Sequence, residues 1–221
     1  MKKFVNFHTH NLGPREDLIQ VYIPSLEENH VDEKANYFCF GIHPWDIFKI
    51  KDEQIKTLIK YHCQNPRFLA LGEIGLDKFK PSDFKRQQTI FKNQIEIARE
   101  LNIKKIVLHC VRAYQECYEI LKETNFTGAL IFHDYQANKQ VFEQFNQRWN
   151  TYISLSLRGL SKSNAKKNLS NISLNRLFFE TDDAPANTIN QPYELYAKIF
   201  NLEVSVLKAS CQENLRTLAA L

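Results

Sequence analysis

The sequence predicts an α/β chain folded as a TIM-like (β/α) barrel, abbreviated or distorted near its N-terminus, in a single domain over residues 1–221. Three observations carry that expectation. Short apolar runs alternate with amphipathic stretches along the whole chain. The runs are apolar almost throughout rather than at every second residue, and up to eight of them occur. Strands covered on both faces read as continuous apolar runs, and parallel strands need crossovers that supply the cover. An open, doubly wound sheet is the rival arrangement for the same alternation.

The strands are expected, in order, at "FVNFH", "VYIP", "YFCFGIH", "FLALGEI", "KIVLHC", "GALIFH", "TYISLS" and "RLFFETD". The clearest helix spans 82–101, where Phe84, Phe91, Ile95, Ala98 and Leu101 fall on one stripe, with Pro81 and Ser82 marking its start. Shorter helices fit "DEQIKTLIKYH", "YQECYEILKE", "NKQVFEQFNQ" and the C-terminal "VSVLKASCQENLRTLAAL". No full helix fits between the first and second runs or between the second and third. The first third of the barrel is therefore expected to be abbreviated.

Composition excludes little. At 43% hydrophobic and 24% charged residues the chain is ordinary for a globular protein, and a net charge of +4 permits an anionic partner without demanding one. No stretch approaches the roughly 18 apolar residues of a membrane span, and the start "MKKFVNFHTH" lacks the apolar run of a signal peptide. The five cysteines, at 39, 63, 110, 117 and 211, form no CxxC pair, which suits reduced thiols in a cytoplasmic protein. No motif points to an obligate protein partner.

In a parallel barrel the working site lies at the C-terminal ends of the strands. His8 and His10 end the first run, and alternation places them on one face with Thr9 turned away. His43, Glu73, His109, His133 and Asp182 stand at or near the ends of later runs. Each alone is unremarkable as a loop or capping residue; six runs bearing His, Glu or Asp at one end are not. His30 and His62 fall outside the pattern and are expected at the surface. Imidazoles and carboxylates converging on one mouth suit a divalent metal, with donors enough for two ions and Glu73 available to bridge them. Zn, Mn and Mg are not separable at this level. Such a pair activates a shared water near neutrality, so hydrolysis is the natural chemistry. A GxSxG elbow, a phosphate loop and a dinucleotide fingerprint are all missing. Cys110 as a nucleophile is disfavoured, because alternation turns it away from the face of His109.

The ordered series "FHTH", "FGIHPW", "LGEIGLD", "RQQTIFKNQIEIAREL", "IVLHC", "LIFH", "YISLS" and "RLFFETDDAP" resembles the TatD-type metal-dependent hydrolases of the amidohydrolase-like TIM barrels, over nearly the whole chain. The resemblance implies His8 and His10 as ligands of one metal, Glu73 as the bridging carboxylate, and His109 and His133 as ligands of the second. It implies Asp182 as a ligand that also takes a proton from water, and so Glu73 and Asp182 as catalytic residues. Glu180 would support Asp182, while Asp183 points away. His43, within "GIHPW", and Arg112 look like substrate-binding residues.

The sequence departs from the family in three places. It is short between His10 and "FGIHPW", "HDYQAN" stands where a "CFSG"-like stretch is usual, and Arg112 lies one position late.

The resemblance further implies phosphodiester hydrolysis through a metal-bridging hydroxide, as an exonuclease on DNA, with RNA also open. Arg15, Lys78, Lys80, Arg112 and Arg158 sit near expected mouth loops, interleaved with Trp45, Phe79 and Tyr135 as stacking aromatics. Each alone reads equally well as an ordinary loop residue, and "KSNAKK" as a solvated helix face. Two alternatives stand beside the nuclease. One is a small-molecule amide or ester hydrolase, although Lys104 and Lys105 begin their strand rather than reach its mouth. The other is a metal-binding scaffold that has lost catalysis.

Overall fold

A computed structural model describes residues 2–14, 16–28, 30–79 and 83–221. The eight strands are β1 (Phe4–Thr9), β2 (Leu18–Tyr22), β3 (Tyr37–Phe40), β4 (Phe68–Asp77), β5 (Lys105–Val111), β6 (Ala129–Phe132), β7 (Asn150–Leu155) and β8 (Leu177–Phe179). They follow one another around one parallel sheet in sequence order. A doubly wound sheet reverses strand order at a switch point. This sheet does not, and Thr9 bridges Asp182 to join its first and last edges. The architecture is the barrel.

That seam is held by few bonds. His10 N donates to Asp182 O at 3.1 Å and Asp182 N to His8 O at 3.0 Å. Deeper in, the fully buried Asn6 side chain completes the ladder that β8 is too short to make: its amide donates to Thr181 Oγ1 at 2.8 Å and accepts from Thr181 N at 3.0 Å. Asn6→Ala strands a buried backbone N–H. It is expected to cost about 2–3 kcal/mol, read as a shift in the urea midpoint at unchanged slope.

The abbreviation falls where the sequence places it. Among the described residues, no helix joins β1 to β2 or β2 to β3. Side chains supply the backbone partners that helices would otherwise provide. Gln20 clips both polar groups of Gly13, at 2.9 and 3.0 Å. The Arg67 guanidinium donates to the carbonyls of Val31, Asp32 and Ala35 at 3.0–3.2 Å.

Every later connection is helical: α1 (Asp52–Cys63), α2 (Phe84–Glu100), α3 (Tyr114–Glu123), α4 (Lys139–Asn146), then α5 (Leu157–Leu160) with α6 (Ala165–Leu169). After β8 come α7 (Asn190–Phe200) and α8 (Val204–Ala219). The sequence pattern did not separate α5 or α7. The expected start of α2 at Pro81 and Ser82 lies outside the described residues; Asp83 caps the helix by accepting from Arg86 N at 3.1 Å. Its stripe buries Phe91, Ile95 and Ala98 as the spacing requires.

His62 corrects an expectation. It is buried rather than at the surface, because Ile55, Ile59 and His62 recur at steps of four and three on the inner face of α1. Its ring stacks on Phe40 at 3.8 Å. No helix among the described residues is long and apolar enough to cross a membrane.

Candidate metal centre

Glu73 is the hub of the barrel mouth. Its Oε2 lies 3.3 Å from His8 Nε2 and 3.8 Å from His10 Nε2. Its Oε1 lies 2.6 Å from His109 Nδ1 and 3.5 Å from His43 Nε2, and it also touches His133 Nε2. Asp182 Oδ1 faces His8 and His10 at 3.7 and 3.8 Å. All six residues expected as metal ligands are thus brought together, and so is His43.

The strand that delivers Glu73 is distorted for the purpose. Leu71 pairs with Ile106 and Ile74 with Leu108, so β4 carries one residue more than β5 between them. This is a bulge, which re-aims the side chain within it. Glu73 consequently lies inside a strand that runs on to Asp77, not near the end of one. The flanking glycines have no substitute. Gly75 has φ +146°, and a Cβ there would stand 2.0 Å from His109 O. Gly72 has φ +156°, and a Cβ there would stand 2.6 Å from Val107 O. Such backbone favours glycine, and β4 runs too close to β5 to admit a side chain.

Two glutamines of α2 hold the neighbouring strand ends. Gln94 clips both backbone groups of Ile42, at 2.7 and 3.0 Å, and so fixes His43 three residues beyond β3. One heptad earlier, Gln87 clips both backbone groups of Asp77, at 2.8 and 3.1 Å.

The outer nitrogen of each imidazole decides what its inner nitrogen offers, because a neutral ring has one donor and one acceptor. His10 Nδ1 lies 3.1 Å from Ile23 O and must donate, leaving the Nε2 lone pair inward. His109 Nε2 faces Asp77 Oδ2 at 3.3 Å, leaving Nδ1 inward. His133 Nδ1 faces Glu180 Oε1 at 3.4 Å, leaving Nε2 inward. His43 is the reverse: its Nδ1 accepts from Trp45 N at 3.1 Å, so the proton is on Nε2 and a donor points toward Glu73. Both nitrogens of the fully buried His8 lack a hydrogen-bond partner among the described residues.

Charge and burial also shift the titration of these groups. Burial alone would raise the Glu73 carboxyl, but the charges of His133 and His8 and the hydrogen bonds of His109 and His133 hold it well below the carboxylate range. Burial alone would lower His133, but Glu73 and Glu180 outweigh it and hold the imidazolium well above its ordinary value. Burial keeps His43 below its ordinary value.

Some expected residues fall elsewhere. Glu180 does not support Asp182; besides facing His133, it accepts from Asp134 N at 2.7 Å. The exposed Asp183 turns away from the centre as expected. Tyr135 is buried and donates to Asn138 O at 2.7 Å, so it offers no stacking face. Trp45 and Phe79 remain exposed, at 49% and 71%. Arg112 is exposed at the end of β5 with its guanidinium 5.6 Å from the Phe79 ring centre. Lys78 is paired with Glu116. Arg15 and Lys80 lie outside the described residues. Cys110 packs on the helix side beside Cys117, as alternation requires.

Asp77 is the residue that sequence reasoning missed. Its carboxylate accepts from Trp45 Nε1 at 2.8 Å and Phe79 N at 2.7 Å while orienting His109. Its spacing was a usable signal, since Glu73, Gly75 and Asp77 alternate onto one face.

Comparison with known proteins identifies the family. Residues 23–219 match the family described as TatD related DNase. The chain is 30% identical over 189 residues to an uncharacterized metal-dependent hydrolase of Methanocaldococcus jannaschii, covering 80% of this chain and 73% of that one. It is 32% identical over 102 residues to the 3'-5' ssDNA/RNA exonuclease TatD of Erwinia tasmaniensis, covering 44% of this chain and 37% of that one. The crystal structure of YJJV, a TatD homolog from Escherichia coli k12, superposes with a TM-score of 0.81 at 18% identity, covering 100% of this chain and 99% of that one, and so shares the fold. The chain therefore belongs to the TatD related DNase family of metal-dependent hydrolases.

Proposed function

We propose that this chain is a nuclease that hydrolyses the phosphodiester bonds of DNA from a strand end, using two divalent ions held at the barrel mouth. The observation that carries the reading is the set of inward nitrogens around Glu73. His10 Nδ1 donates to Ile23 O, and His109 Nε2 and His133 Nδ1 face Asp77 and Glu180 at 3.3 and 3.4 Å. All three rings turn the other nitrogen to Glu73, and the buried His8 has no hydrogen-bond partner at either nitrogen among the described residues. A divalent cation satisfies such atoms, and buried polar groups are rarely left without a partner.

Among the described residues, three triads each bring ligand atoms within 4.8 Å of one another: His8, His10 and Asp182; His8, Glu73 and His133; His43, Glu73 and His109. In this reading His8, His10, His109, His133, Glu73 and Asp182 would hold the ions. Four imidazoles favour Zn²⁺ over Mg²⁺, which prefers oxygen alone. Bound there, the ions supply an activated water near neutral pH and neutralise charge on the phosphate.

The chain's own residues do the remainder. Asp182 turns Oδ1 to the imidazoles, and its Oδ2, which lies 3.7 Å from Arg158 Nη2, is the oxygen left to take a proton from water. His43, with its proton fixed on Nε2, donates to a phosphate oxygen. Trp45 and Phe79 offer faces to unpaired bases, and Arg112 backs the Phe79 ring while reaching for the strand's phosphates.

Metal analysis coupled to cleavage assays tests this. The purified protein is expected to hold about two divalent ions per chain and to shorten single-stranded DNA from an end, with both lost in a chelator. Parallel assays on RNA and on small esters and lactones decide the substrate. Cleavage of esters with nucleic acids ignored would overturn the nuclease reading, and full activity in chelator would overturn the metal. Loading the metal-free protein should also release protons, since His133 is held protonated there by Glu73 and Glu180 and must lose that proton to ligate. Calorimetry in buffers of differing ionisation enthalpy reads the release.

A further inference from the structure

"HDYQAN", which departs from the family pattern, has a structural consequence. Asp134 follows His133 in a left-handed backbone conformation, φ +39°, which non-glycine residues rarely adopt. Its carboxylate collects three donors: Ser156 Oγ, Gln136 Nε2 and the Arg158 guanidinium. Arg158 is anchored through Nη2 alone. Its other guanidinium nitrogens make no hydrogen bond among the described residues, and its side chain is 66% exposed. The same Nη2 lies 3.7 Å from Asp182 Oδ2, on the opposite side of that carboxylate from His8 and His10.

Arg158 also lines a cavity of about 420 Å³ beside Asp182, walled by Leu157 and Ser161 on one side and by Thr188, Gln191 and Pro192 on the other. The volume lies in the range of cavities that hold small ligands, roughly 300–1,000 Å³. Its walls offer hydroxyls and an amide for a sugar and base edge, and the exposed Leu157 for a base face. Glu180, Asp182 and Asp183 also line it, and Arg158 is the one cation among its lining residues. A polyanionic strand enters a wall with three carboxylates only where a cation meets it.

We propose that Arg158, anchored by Asp134, receives the phosphate next to the one being cleaved, and that the adjoining cavity takes the nucleotide carrying it. Asp182 stands between Arg158 and the imidazoles, Oδ2 toward the one and Oδ1 toward the others, so Arg158 is set back from the metal centre by the width of that carboxylate and its contacts. The inference rests on the nuclease reading and deepens it: the preferred substrate is a strand with at least two phosphates.

The test compares thymidine dinucleotide, with one phosphodiester, and trinucleotide, with two, on the metal-loaded wild type, Arg158→Ala and Arg158→Lys. The wild type should favour the trinucleotide. Arg158→Ala should lose at least about tenfold in kcat/KM on it, chiefly through KM, with a severalfold smaller loss on the dinucleotide, and Arg158→Lys should recover part of the difference. Equal losses on both substrates would mean that Arg158 acts through Asp182, and would overturn the proposal, as would no loss on either. Wild type inert toward both strands would overturn the nuclease reading itself, a failure distinct from that of Arg158.

Discussion

Glu73→Ala is expected to give a folded protein whose metal-dependent cleavage is down by on the order of 10³-fold or more, with fewer than two ions bound per chain. Five imidazoles face this carboxylate, and the inward orientation of their nitrogens has no other shared acceptor except Asp182, which serves only His8 and His10. The fold should survive because Glu73 stabilises charges that depend on it. Without the carboxylate, His133 loses its largest favourable charge partner and goes neutral at little cost, while His109 keeps Asp77.

Linkage gives the metal-free proteins distinct acid behaviour. The folded pKa of Glu73 is depressed below its ordinary value, so its contribution is present above the ordinary carboxylate range and is lost as pH falls through the folded value. That of His133 is raised above 6.5, so its contribution is present below 6.5 and is lost as pH rises through the folded value. Glu73→Ala removes both, and the stability curve of the variant against pH should be flatter on each side. Asp182→Ala should lose cleavage in parallel while keeping more of the metal. Wild-type rates in either variant would end the two-ion reading.

Gly75→Ala should have the largest effect on the fold. The added Cβ meets the His109 carbonyl oxygen at 2.0 Å on a backbone with φ +146°, so neither a rotamer change nor a side-chain shift relieves it. β4 must move away from β5, the strand pair that sets Glu73 Oε1 2.6 Å from His109 Nδ1. A loss of about 3–5 kcal/mol is expected, in the range reserved for strained backbone and buried clashes. Low soluble yield and a depressed denaturation midpoint would report it, and the fraction that folds should carry less metal. A midpoint and a metal content equal to wild type would show that the bulge has slack.

The parts of this protein legible in the sequence were those governed by short-range pattern. Continuous apolar runs separated by an amphipathic α2 stripe gave a parallel barrel, and the missing helices around β2 followed from spacing alone. The residues proposed as ligands stood out because His, Glu or Asp recurred at or near the ends of six expected strands, although Glu73 proves to lie inside its strand. What escaped was long-range. Gln87, Gln94 and Asn6 look like ordinary polar residues until the fold brings them against Asp77, Ile42 and Thr181, up to 175 positions away. His62 was misjudged because a histidine at a helical step of three looks the same in sequence whether the face is wet or dry. Tyr135 was misjudged because a loop residue is not necessarily exposed.

The barrel seam has a consequence for the order in which the molecule comes together. The contact between β1 and β8 joins residues more than 170 positions apart, and closing so long a loop carries the highest entropic cost of any strand pairing in the fold. Thr9 and Asp182 meet at that contact, flanked by His8 and His10. On the proposed ligand set, a cation there is gripped from both ends of the polypeptide at once, like a buckle on a belt. The seam cannot part without releasing it, so amide hydrogens along β1 should exchange more slowly once the protein is loaded, and those of β5 and β6 should barely notice.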